Sequence, residues 1–329
     1  MTCVDTCGSL GVYTSMLVEE SDLVDCDPAT FSSNSERYEI LSEGIRFTDT
    51  LLGGNGLTGT IDKIGNHTRH GARVVVGQFA LEVGPYELDN WLPRILGNAA
   101  SGTTFTTDET FDLRPFDIML KRDQGTVVYR RCSVSSATLT GTASIGGPSQ
   151  VMRLTLQVLG YEEHDETYPL TPPALPSDER LYWLLGDGKL EMTPDGGSLT
   201  EYYFDAFSLR IDNNLVPRTR NFLSVTCVQT NGRTIRLRVR TPYTSSSHTN
   251  LYINDFQGQG VLSFLGSKNP EVPSAYSTVI TLPELRQTRI TPNTQGRGEI
   301  PLSLDLEAYR SATALGAAVE PITITNAHP

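Results

Sequence analysis

Apolar and polar residues alternate with a period of two along most of this chain. In the stretch from Ala72 to Gly97, Val75, Phe79, Leu81 and Val83 fall on one side, with Arg73, Gln78 and Glu82 on the other. That period marks a half-buried β-strand. At Gly84-Pro85 the alternation stops, and Tyr86, Leu88, Trp91, Leu92, Ile95 and Leu96 recur at roughly helical intervals. Proline suits the first turn of a helix, where its missing N–H would have no partner anyway. Gly97 stands at the expected C-terminal stop. The pattern predicts a strand and then a helix that Pro93 keeps short or kinked.

The same plan returns from Arg233 to Gly258. Ile235, Leu237, Val239 and Tyr243 alternate with Arg236, Arg238 and Arg240, and Pro242 ends the strand. The polar SSSHTN run then leads to Leu251-Tyr252-Ile253 and Phe256. Further strands are predicted at Val12 to Val18, Arg37 to Phe47, Phe116 to Arg122, Val127 to Leu139 and Val151 to Leu159. In the second half they fall at Leu181 to Pro194, Phe204 to Asp212, Val261 to Leu265, Tyr276 to Leu282 and Pro301 to Ala308. The halves overlay at an offset of about 150 to 160 residues, the kind of internal repeat that fixes architecture. Val127 to Leu139 lies over Ser277 to Ile290, and Met152, Leu154, Leu156 and Val158 lie over Leu302, Leu304, Leu306 and Ala308.

These patterns predict a mainly β chain of two tandem antiparallel sandwich or barrel units, each with one short flanking helix. Residues 1–36 read as an N-terminal arm, 37–161 as the first unit, 162–180 as an acidic, proline-rich linker and 181–329 as the second unit. Asn98 to Pro115 is a threonine-rich, loop-like insert with almost no counterpart after Gly258. Leu51 to Gly71 and Asp212 to Gly232 precede equivalent strands and are longer than a simple hairpin needs. Such loops usually carry function, and stacking contacts are expected of them.

Charge and composition narrow the function. The net charge of −12 argues against a dedicated nucleic-acid binder. No apolar run approaches the ~20 residues of a membrane helix, and MTCVDTCGSLG lacks the basic and apolar parts of a signal peptide. The five cysteines are odd in number and fit reduced thiols in a protein assembled in the cytoplasm.

Candidate chemistry is sparse. Gly54, Gly56 and Gly59 form a literal GxGxxG, but the β-branched, glycine-broken sequence after it is not the helix that a dinucleotide site needs. His67, His70 and Asp62 match no metal-ligand spacing. Asn66-His67-Thr68 is a formal glycosylation sequon, meaningful only in a secreted chain. Glu162, Glu163, Asp165 and Glu166 lack the turn glycine and alternating ligands of a calcium loop, and no GxSxG elbow occurs. No catalytic, cofactor-binding or metal residue is nominated, and no enzyme activity or cofactor is expected. Arg236, Arg238 and Arg240 share one strand face, and Asp305 and Glu307 share another. Either the two faces are solvated independently, or neighbouring strands set the charges opposite each other in a polar face buried against another subunit.

ELDNWLPRILG followed by GTTFTTDETF resembles the first domain of two-domain bacteriophage tail tube proteins. SLRIDNNL (Ser208 to Leu215) and GRGEIPLSLDLEA (Gly296 to Ala308) resemble that family's second-domain signatures. The likeness covers the chain from about Arg37 onward and carries no site residues across. It implies β-sandwiches that join into rings around a lumen, and rings that stack into the tube through which the genome leaves. Single-domain members close rings from six copies, so a duplicated chain implies a homotrimer. Implied partners are further copies of itself and the tail terminator, tape-measure and baseplate or tip proteins. DNA would pass through without tight binding, in a virion tail assembled in the host cytoplasm. The rival readings are a receptor- or carbohydrate-binding β-sandwich module of a virion, and an esterase or lyase on a β scaffold. Trp91 and Trp183 sit in apolar-patterned segments rather than on a loop face, which disfavours the first. The missing nucleophile and base disfavour the second.

Overall fold

The computed structural model describes residues 15–21, 31, 35–53, 68–97, 101–107, 113–122, 125–143, 151–169, 173, 182–194, 197–219, 225, 227–242, 256–268, 275–292, 301–312 and 318–328. The first half carries β1 (Ser15–Glu20), β2 (Glu36–Tyr38), β3 (Ser42–Glu43), β4 (Arg46–Gly53), β5 (Thr68–Glu82), the helix α1 (Pro85–Leu96), β6 (Thr104–Thr106), β7 (Phe116–Arg122), β8 (Gly125–Thr142), β9 (Arg153–Gly160) and β10 (Glu162–Asp165). The second carries β11 (Gly188–Pro194), β12 (Thr200–Tyr202), β13 (Ala206–Asp212), β14 (Leu215–Arg218), β15 (Cys227–Thr230), β16 (Thr234–Pro242), β17 (Gln257–Leu265), β18 (Ser277–Pro292), β19 (Pro301–Tyr309), β20 (Ser311–Ala312), β21 (Ala318–Val319) and β22 (Thr323–Ala327).

Antiparallel pairing gives both halves one strand order. The first runs β2–β1–β7–β8–β9–β5–β3. The second runs β12–β11–β17–β18–β19–β16–β13. The repeat read from alternation is thus present as topology. It also reaches into the segment read as an arm, because β1 is the counterpart of β11. Met16, Leu17 and Val18 of β1 are all fully buried, two of them in the main core and Leu17 in a smaller cluster on the opposite face. A strand covered on both faces shows no alternation, which hid its place in the repeat.

The strands form two layers. β8 and β18 are long, at 18 and 16 residues, and β8 passes from one layer into the other. Its first part pairs with β7 and β10, and its last part with β9 and β13. The crossing lies at Arg131, whose φ is 50°. Strands that change sheets need a bend or bulge of this kind. Asp117, buried under the bend, braces it. Its carboxylate accepts the Arg131 N–H (2.7 Å), the Ser21 hydroxyl (2.5 Å) and an Arg130 N–H (2.6 Å).

The helix forms as predicted. Gly84 precedes it, and its N–H donates to Glu87 at 2.9 Å. Pro85 takes the first turn, and Gly97 closes the last in a left-handed conformation (φ 88°) that a side chain would disfavour. Trp91 packs among the rings of Tyr38, Phe79 and Phe116, with centroids 5.2 to 5.5 Å apart. Among the described residues α1 is the one α-helix, and no closed barrel forms. The place of a second helix, residues 243–255, lies outside the described residues.

Two segments differ from their sequence reading. The threonine-rich insert is not all loop: its β6 pairs with β22 of the second half, a contact too short to show periodicity. The acidic stretch is not wholly a solvated linker, because Glu162–Asp165 pairs with β8. Beyond it, Tyr168 packs against the Leu17 cluster and Arg37 donates to the Pro173 carbonyl (3.4 Å). A single hydrophobic cluster runs through both halves.

Asp117→Ala leaves the buried Arg130 without its innermost carboxylate. The stability lost is expected to be about 3–5 kcal/mol, read by chemical denaturation. A loss within about 0.5 kcal/mol, the range of an ordinary surface substitution, would show that the bend does not need this brace.

Candidate functional site

The two halves meet through their main chains. β13 pairs with the last part of β8 in the register Ala137 with Ile211, Leu139 with Leu209, Thr140 with Ser208 and Gly141 with Phe207. Main-chain hydrogen bonds bracket this seam, from Asn213 N–H to the Ser135 carbonyl (2.8 Å) and from Ala143 N–H to the Asp205 carbonyl (2.7 Å). The result is one continuous run, β3–β5–β9–β8–β13–β16–β19–β18, in which a four-strand unit occurs twice. On the inner face, Leu88, Leu92 and Ile95 of α1 line a small apolar space with Ala137, Leu139 and Leu209. The helix of the first half therefore covers the seam from the core side. A Cβ at Gly141 would lie 2.6 Å from the Phe207 ring, so the absent side chain makes room for that ring.

One buried side chain ties the seam to the helix. Asn213 is wholly buried, and its amide donates to the carbonyls of Val134 in β8 and Ile95 in α1, both at 3.0 Å. Its oxygen accepts the Arg233 Nε–H (2.8 Å), and Arg233 also donates to the Leu96 carbonyl (2.9 Å). The neighbouring Asn214 adopts a positive φ of 47°, which asparagine tolerates better than most residues, and donates to the Gly232 carbonyl (2.7 Å). Asn213 was not singled out from the sequence. The signal available was the paired asparagine in SLRIDNNL, directly after an alternating strand.

The opposite face of the sheet is polar. Thr138, Ser208, Arg210, Arg236, Arg238, Thr288, Asp305 and Glu307 line an open depression of about 530 Å³ that straddles the seam. The charge pattern resolves here in favour of facing strands. Arg236 stands opposite Glu307 (3.3 Å), and Arg238 stands opposite Asp305 in direct contact. Arg210 meets Asp212 at 2.8 Å and Arg240 approaches Asp205 at 3.9 Å. The four arginines are more than half exposed, so each pair adds only about 0.2–1 kcal/mol. Their main effect is to balance the charge of the face.

The weaker sequence candidates do not converge on a site. Gly54, Gly56, Gly59, Asp62 and His67 lie outside the described residues, and His70 falls in β5. Glu162 and His164 pair with each other on the exposed β10 (3.1 Å), while Glu166 binds Arg130. Among the described residues no group of three or more His, Cys, Asp or Glu side chains could hold a metal ion. Burial, with the nearby Asp117 carboxylate, pushes the Cys132 thiol well above its ordinary range, which suits an inert core residue. Trp91 and Trp183 are both fully buried and do not form a ligand platform.

Asn213→Ala removes the hydrogen bonds to the Val134 and Ile95 carbonyls and the one from Arg233 Nε–H. It is expected to lower stability by about 2–4 kcal/mol, the scale of several unmade buried hydrogen bonds, measured by thermal or chemical unfolding. An unchanged midpoint would remove Asn213 from the account.

No curated protein matches the chain. The elements of this sheet and its covering helix include the segments that resemble a known family: α1 carries ELDNWLPRIL, β13 and the turn after it carry SLRIDNNL, and β19 carries the alternating part of GRGEIPLSLDLEA. The family of phage tail tube proteins matches residues 27–315, nearly the whole of this architecture, and the chain belongs to it.

Proposed function

We propose that copies of this chain join edge to edge into closed rings, and that the rings stack into the tail tube through which the phage genome leaves. The observation that carries this reading is the doubled four-strand unit with its polar face. A sheet that curls toward its polar side and is continued by further copies closes around a polar lumen. Its apolar side stays covered by α1 and the outer layer. Closure also removes the exposed edges that make open sheets prone to aggregation.

Two units per chain make three chains per ring, with six units imitating six-fold symmetry. The β4–β5 hairpin and its counterpart β14–β15 extend from the same end of the two units and are assigned to ring-to-ring contacts. The tube would be capped and positioned by terminator, tape-measure and tip proteins, with assembly in the host cytoplasm. Negative-stain images of the purified protein are expected to show rings or tubes with three-fold repetition. A variant with the first hairpin cut to a two-residue turn is expected to give rings without tubes. Monomers at every concentration would contradict the proposal.

The charge-balanced face bears on the cargo. DNA is held where a protein replaces its counterions with unpartnered cations, whereas the arginines of this face already have carboxylate partners. Assembled tubes are expected to bind duplex DNA weakly. Sub-micromolar binding that weakens steeply with salt would overturn this view of the lumen.

A further inference from the structure

The internal seam of one chain is a template for the seam between chains. Three register relations transfer it. Phe79 and Leu237 are equivalent, since they stand opposite Leu156 and Leu306, which overlay. Glu43 stands opposite Phe79 and Leu209 opposite Leu237, so Glu43 takes the place of Leu209 and Ser42 that of Ser208. Leu139 stands opposite Leu154 and Ile290 opposite Leu304. Ile290 therefore takes the place of Leu139, Thr291 that of Thr140 and Pro292 that of Gly141.

Each edge has a strand partner on its inner side; at the first, the Leu41 and Gly44 N–H groups donate to the Ala80 (2.7 Å) and Gln78 (2.8 Å) carbonyls of β5. Among the described residues, β3 pairs only with β5, and residues 288–292 of β18 pair only with β19. Leu41, just before this edge strand, is 48% exposed. The occupant that matches this vacancy in order and register is a second copy of the same chain.

The two edges are also weaker than their internal counterparts. Where the internal seam has Leu209, the edge has a carboxylate on the core-facing side, opposite Phe79. Arg122 grips that Glu43 carboxylate with two contacts of 3.0 Å and donates as well to the Ile45 carbonyl (3.2 Å). Where the seam has Gly141, the edge has a proline. Ala143, two residues beyond Gly141, donates to β13, so the Gly141 amide faces the same way. At Pro292 no such donor exists. An inward-pointing charge and a proline are devices that keep sheet edges from pairing indiscriminately.

We propose that the next copy adds its Leu41–Gly44 segment to residues 289–292 of β18 in the register of the internal seam. Glu43 and Pro292 keep this seam weaker than the internal one, so free chains stay apart until assembly supplies further contacts. This rests on the ring reading above and specifies the contact that closes the ring.

A cysteine pair tests the register. Thr140 and Ser208 form a non-hydrogen-bonded pair of the internal seam, where a disulfide can bridge the strands. Oxidised Ser42→Cys/Thr291→Cys protein is expected to give linked chains that end at a trimer on denaturing gels. Thr140→Cys/Ser208→Cys serves as the intrachain control, and the single variants control for the native cysteines. In the second arm, Glu43→Leu and Pro292→Gly are each expected to lower the concentration for half-assembly by about tenfold, the scale of one interface residue. Glu43→Gln removes the charge with little change of shape and is expected to shift assembly in the same direction. Rings seen by microscopy with no 42–291 cross-link would overturn the register and leave the ring reading standing. Unchanged or raised assembly concentrations for both Glu43→Gln and Pro292→Gly would overturn the weakening role. No rings under any condition would overturn the ring reading itself.

Discussion

Main-chain pairing between β8 and β13, sealed by α1, is the contact on which the rest of the structure depends. It joins two copies of a four-strand unit into one sheet and lets the first-half helix bury its apolar face against both. Asn213 adds hydrogen bonds that tie the turn after β13 to Val134 of β8 and to the helix end. Without this seam each unit would expose a sheet edge and a strip of core. With it, one chain already contains the contact that the proposed ring would repeat.

The same contact explains how a chain without evident chemistry can have a specific task. One face carries alternating charges that are mutually satisfied, and the other is core. Nothing on the described surface concentrates nucleophiles, bases or metal ligands. In the proposed ring, function would rest on strand edges, which are properties of the backbone.

Much of this was legible in the sequence, because it depends on alternation. The strand through Val75 and Leu81, the helix with Pro85 and Gly97 at its ends, and the overlay of Met152–Val158 on Leu302–Ala308 are local patterns of solvent contrast. The arginine row of β16 was visible too, but its partners were not fixed until strand order placed β19 beside it. Strand order is a long-range property and leaves little local trace. β1 was read apart from the repeat because burial on both faces erases alternation, and β6 because three residues cannot establish a period. Asn213 and Glu43 were missed for a related reason. Each is a polar residue whose role depends on a partner far along the chain, at Ile95 for the one and Arg122 for the other.

The central claim is that the chain carries one seam satisfied internally and a second, equivalent one left open for its neighbour. Amide hydrogen exchange measured on free chains and on assembled material tests it most directly. The account predicts slow exchange at 137–141 and 207–211 in both states, with the edge-facing amides of Glu43 and Ile290 becoming slow only on assembly. Equal, rapid exchange of these edge amides in both states would contradict it.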